Sequence, residues 1–229
     1  MIAVREFVRK FGRPILGRYC VRSGIYNLTV WAALLAAGTS AASEPIHILM
    51  LGDSLTAGYG LIKRESLPAR LQTALEYTLP GLKVINGGIS GDTTAGGRAR
   101  LAWSLATRPN AVIIALGAND GLRGLAPEQT YANLNAIIKT TKDAGVPVLL
   151  AGMRAPPNLG SEYGSAFDAV FPRLANEHGV TFYPFILEGV VARSEFNQSD
   201  GIHPNARGVD IIIDNILPLV RNLIAQIKR

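Results

Sequence analysis

Residues Ala111-Val112-Ile113-Ile114-Ala115-Leu116 contain no polar side chain. A run of this kind cannot turn one face to water, so it belongs in a sheet covered on both sides. Four other segments have strand length: Ile46 to Leu51, Lys83 to Asn86, Val148 to Ala151 and Val180 to Tyr183. Between them the apolar spacing becomes helical. Leu67, Leu71, Ala74, Leu75 and Leu79 predict a helix within 65–79, ended by Pro80-Gly81. A second is expected over 97–107, and a third from Pro127 to about Ala144, with proline at a favoured first-turn position. A loop rich in Pro and Gly, 154–160, leads to a fourth helix ending near His178, and the last runs from Ala206 to about Lys228. Five strand–helix units without internal repeats predict an α/β fold: a three-layer αβα sandwich on a five-stranded parallel sheet, flavodoxin-like.

The formal net charge of +6 invites a nucleic-acid or membrane-surface role. Its location argues otherwise. Up to Ser43 the chain carries six basic residues against Glu6 alone, while the remainder holds 17 basic and 16 acidic residues. No nucleic-acid partner is expected for the folded domain. The basic stretch is followed by an apolar run, Ile25 to Ala37, too short to span a bilayer comfortably, and then by Gly38-Thr39-Ser40-Ala41-Ala42-Ser43. This pattern predicts a cleaved signal peptide over 1–43, a mature domain over 44–229, and a periplasmic or secreted protein. The alternative is an uncleaved membrane anchor. Cys20 is the only cysteine and lies in the leader, behind a Gly17-Arg18-Tyr19 that does not resemble a lipobox. The mature domain therefore has no disulfide, thiolate metal site or cysteine nucleophile.

The strand-length run Ile46 to Leu51 ends in Gly52-Asp53-Ser54, placing Ser54 at a strand's carboxyl end, where open α/β sheets put their ligand sites. Taken alone, Asp53 or Ser54 is explained as a helix cap. Other pieces change the reading. The loops Gly87 to Gly91 and Gly117-Ala118-Asn119-Asp120 follow the second and third strands, and in a parallel sheet all three share one edge. Asp200-Gly201-Ile202-His203-Pro204 precedes the last helix. A serine hydroxyl needs an adjacent base, and three histidines are available. His47 lies inside the first strand and points away from its end, while His178 is explained by its position at a helix C-terminus. His203 remains, with Asp200 three residues back and able to bond its Nδ1 and set its tautomer.

These residues resemble the SGNH hydrolases, or GDSL family, and within them the thioesterase I/lysophospholipase L1/arylesterase group. Gly52-Asp53-Ser54-Leu55 matches the first block, Gly91 in Ile89-Ser90-Gly91-Asp92 the second, Asn119 the third, and Asp200 with His203 the last. The resemblance implies a Ser54–His203–Asp200 triad and an oxyanion hole formed by the Ser54 and Gly91 N–H groups and the Asn119 amide. It also implies a substrate-binding loop at Gly121-Leu122-Arg123, with Pro156 as a further candidate contact. Asp53, Asp92 and Asp120 read as cap or turn residues that brace the loops.

The expected function is hydrolysis of small acyl esters or thioesters through an acyl-enzyme. A membrane enters only as a source of lipid substrate. No cofactor is called for, and three scattered histidines offer no metal cluster. There is no Gly-x-Ser-x-Gly elbow, P-loop or dinucleotide fingerprint. Two alternatives remain: an acyltransferase that intercepts the acyl-enzyme with an alcohol, and a non-catalytic exported ligand-binding protein.

Overall fold

The computed structural model describes residues 45–227; the expected leader and Cys20 lie outside them. Five strands form one parallel sheet: β1 (His47–Gly52), β2 (Lys83–Gly88), β3 (Ala111–Ala115), β4 (Val148–Ala151) and β5 (Thr181–Tyr183), in the order β2-β1-β3-β4-β5. This is the flavodoxin-like order, whose direction reverses beside β1. β3 and β4 are buried along their whole length, as their unbroken apolar sequence requires.

Helices cover both faces. α2 (Leu67–Glu76) follows the short α1 (Ser54–Ala57) and packs against α9 (Ala206–Ala225) on one side. It buries Leu67, Leu71 and Leu75, each contributing about 1.5–3 kcal/mol relative to exposure. On the other side, α6 (Pro127–Asp143) contacts both α3 (Thr94–Ala99) and α8 (Val170–His178). Its buried residues, Thr130, Leu134, Ile137, Ile138 and Thr141, lie on one helical stripe. Asn205 caps α9 by accepting from the Gly208 N–H at 3.1 Å.

Two expected helices are each divided. The 97–107 segment becomes α3 and α4 (Leu101–Leu105), broken at Arg100, whose backbone (φ −99°, ψ 4°) leaves the helical region. The segment before His178 becomes α7 (Ser161–Asp168) and α8, broken at Ala169. The loop after β3 also contains a helical turn, α5 (Ala118–Leu122).

Register places the site. Gly52 at the end of β1 pairs with Gly88 on one side and Ala115 on the other, so the three following loops leave from one edge. Gly88 is required by close approach, since a Cβ there would lie 2.2 Å from the Ala57 backbone nitrogen.

Candidate active site

Ser54 opens α1 immediately after β1, and the preceding Asp53 carboxylate accepts from the Leu55 N–H at 3.0 Å. Asp53 is thus the cap expected from sequence. It is fully buried, and burial raises its pKa to about 6 despite hydrogen bonds and the nearby His203 that favour the charge.

The Ser54 hydroxyl lies 2.9 Å from His203 Nε2. His203 Nδ1 lies 2.6 Å from Asp200 Oδ2. The other Asp200 oxygen accepts from the Ile202 and His203 backbone N–H groups at 2.9 and 3.0 Å. The His203 backbone N–H, then its imidazole, then the Ile202 N–H lower the Asp200 pKa to about 2. A carboxylate so held stays ionised at neutral pH and fixes the imidazole with Nε2 toward the serine. The Tyr59 ring lies against the imidazole with centroids 4.6 Å apart. Gln198 Nε2 joins the two segments, donating to Tyr59 O and Pro204 O.

Gly91 lies in the loop after β2 at φ 82°, a conformation that favours glycine. Asn119, on α5, donates from Nδ2 to the Asp92 main-chain oxygen at 2.9 Å, and the same nitrogen lies 3.5 Å from Asp53 Oδ2. Arg100 ties this loop to β1: Nε pairs with Asp92 Oδ2 at 2.6 Å and Nη2 donates to Gly52 O at 2.9 Å. Asp120 anchors α5 from below. Its buried carboxylate accepts from the Thr94 N–H at 2.8 Å, the Thr94 hydroxyl at 2.5 Å and the Thr130 hydroxyl at 3.3 Å.

Ser54, Gly91, Asn119 and His203 share a cavity of about 570 Å³ whose other walls are mainly apolar, among them Leu122, Met153, Phe185, Leu187 and Ile202. Among the described residues no group of three or more His, Cys, Asp or Glu side chains is placed to hold a metal ion.

Residues 50–211 match a family model, the GDSL-like lipase/acylhydrolase family. The chain belongs to this family. This GDSL-family chain is 43% identical over 181 residues to an arylesterase of Vibrio mimicus, covering 79% of this chain and 88% of that one. It is 40% identical over 180 residues to the thioesterase 1/protease 1/lysophospholipase L1 of Escherichia coli strain K12, covering 76% and 85%. Among solved structures it is similar to AlinE4, an SGNH-hydrolase family esterase. That match has a TM-score of 0.67 and 44% identity over 79% of this chain and 97% of the other.

The GDSL-family fold thus brings Ser54, Gly91, Asn119, Asp200 and His203 to one sheet edge, and leaves the other two histidines elsewhere. His47 begins β1, and His178 Nε2 lies 2.7 Å from Asn135 Oδ1 at the end of α8. Leu122 and Pro156 line the cavity. Two expected substrate contacts do not. Gly121 is buried, where a Cβ would meet the Phe167 ring at 3.2 Å. Arg123 instead donates to the Gly91 carbonyl at 2.8 Å. The expected substrate-binding loop at this point is a hydrogen-bonded helical turn, held from beneath by Asp120. The sequence carries no local signal for Tyr59, Arg100, Arg154, Phe185 or Leu187, whose places at the site come from contacts between distant segments.

Proposed function

We propose that this GDSL-family hydrolase is an exported serine esterase or thioesterase that cleaves small acyl esters through a covalent acyl-enzyme. Ser54 attacks the ester carbonyl as His203 Nε2 takes its proton, and Asp200 stabilises the resulting imidazolium. The tetrahedral oxyanion is met by the Ser54 and Gly91 N–H groups and the Asn119 amide. The imidazolium protonates the departing alcohol or thiol. Water, activated by the same histidine, then releases the acid and regenerates Ser54.

One observation carries this reading: the unbroken Ser54–His203–Asp200 hydrogen-bond chain at the wall of an apolar cavity. The names of the arylesterase and thioesterase relatives support the substrate class. The test is turnover of aryl esters and acyl-thioesters by wild type, Ser54→Ala and His203→Ala. Each single variant, and the double variant, should lose nearly all turnover, because the residues act as a unit. Ser54→Ala turning over near the wild-type rate would refute the mechanism. Export follows from the leader pattern, with the mature chain beginning between about Ala42 and Glu44. N-terminal sequencing of periplasmic material tests it, and an intact Met1 in the membrane fraction would contradict it.

A further inference from the structure

Among the described residues, Arg154 is the only Asp, Glu, Lys or Arg that lines the catalytic cavity. Its guanidinium carbon lies 4.8 Å from the centroid of the Phe185 ring, which belongs to the same wall. A guanidinium carries its five N–H donors in its own plane. Contact with an aromatic face covers one side of the group and leaves N–H donors on the others.

Three arginines away from the cavity pair with carboxylates: Arg70 with Asp210, Arg100 with Asp92 and Arg173 with Glu177. Among the described residues Arg154 forms no ion pair, and no carboxylate lines the cavity. A second guanidinium, that of Arg123, is held at the cavity's edge by the Gly91 carbonyl. The site thus combines an apolar wall with an exposed cation, Arg154, whose guanidinium rests against one ring of that wall. Arg154 is exposed, so an ion pair formed there gains strength over one made in bulk solvent only as far as the bound substrate itself covers the guanidinium.

We propose that Arg154 is an anion-recognition residue, and that the preferred substrates are acyl esters or thioesters carrying an oxyanionic group that pairs with its guanidinium. This rests on the esterase reading above and names the substrate class for the same site. A planar fork suits carboxylate, phosphate and sulfonate alike.

The experiment compares kcat/KM for three soluble aryl esters in wild type, Arg154→Gln and Arg154→Lys. The neutral reference is p-nitrophenyl butyrate. One partner places an anion on the leaving group, the butyrate ester of 4-hydroxy-3-nitrobenzenesulfonate. The other places it on the acyl group, the mono-p-nitrophenyl ester of glutaric acid. For at least one anionic ester, Arg154→Gln should reduce the anionic-to-neutral ratio of kcat/KM by about tenfold, mainly through KM. Arg154→Lys should recover part of it, since an ammonium keeps the charge but loses the fork. About 0.5 M sodium chloride should erode the wild-type ratio. The ester that responds shows which side of the scissile bond carries the anion. An unchanged ratio for both anionic esters, whether or not all rates fall together, would overturn the proposal. Failure of the esterase reading is separate: it would show as neutral-ester turnover surviving in Ser54→Ala.

Discussion

The side-chain amide of Asn119 donates to the main-chain oxygen of Asp92 at 2.9 Å. One bond thereby joins the turn after β3 to the loop that carries Gly91. An amide nitrogen has two hydrogens, and fixing one of them fixes the direction of the other. The second faces Asp53 Oδ2 across a long 3.5 Å contact, which an oxyanion developing beside Ser54 would replace as the stronger acceptor.

A donor oriented in this way should act on the transition state and leave ground-state binding nearly alone. Asn119→Ala should lower kcat by about 10²–10³, or ~2.7–4 kcal/mol, the cost of removing a single oxyanion donor. KM should change little, and Ser54 should still react slowly with a fluorophosphonate. Steady-state kinetics decide it: a tenfold rise in KM with kcat preserved would make Asn119 a substrate contact.

Arg100 should act through the same loop without touching substrate. Its guanidinium bridges Gly52 O and the Asp92 carboxylate, so it sets the distance between the serine turn and the Asp92 oxygen that holds Asn119. Arg100→Lys cannot bridge both. It should lower kcat by about 10–100-fold, the scale of a misplacement near 1 Å. The loss should shrink when measured in the Asn119→Ala background, because both changes damage one device. Equal losses in both backgrounds would show that Arg100 works elsewhere.

Asp53 makes a prediction about stability. Burial raises its pKa from the ordinary 3.8 to about 6, so the folded state binds this proton more tightly than the unfolded chain. The stabilisation is complete below about pH 4 and is lost as pH rises through 6. Asn at this position keeps a capping oxygen and does not titrate. From pH 4 to 7 the unfolding free energy of Asp53→Asn should rise relative to wild type by up to about 3 kcal/mol. Denaturant melts at the two pH values check this, and a relative gain by wild type would reverse the assigned shift.

Asp200→Asn should retain the fold and remove the anion that sets the His203 tautomer. Its carboxylate lies on an exposed loop and takes three donors from Ile202 and His203. A fall in kcat of about 10⁴ is expected by analogy with the corresponding carboxylate in serine proteases. A loss below tenfold, measured with an aryl ester, would show that the imidazole is oriented by something else.

The sheet was legible because β3 and β4 are apolar without interruption and β1 is apolar after His47, and such runs have few places to go except the centre of a covered sheet. The loops holding Ser54, Gly91, Asn119 and His203 were legible because each follows a strand or precedes the last helix in a recognisable block. The break at Arg100 was not. Local spacing favours one helix through that residue, and what ends it is a side chain drawn to Gly52 O, 48 positions earlier. The α5 turn was missed for the same reason, since Asp120 is anchored by Thr94 and Thr130. Arg154 carries no local signal at all; its meaning comes from Phe185 and from the carboxylates that are absent from the cavity wall.

The account turns on Ser54 as the nucleophile, and peptide mapping by mass spectrometry after reaction with a fluorophosphonate addresses that directly. The expected result is a single adduct on the peptide containing Ser54. It should be absent in Ser54→Ala and form far more slowly in His203→Ala. An adduct on any other residue of the active enzyme, or none while turnover continues, would contradict it.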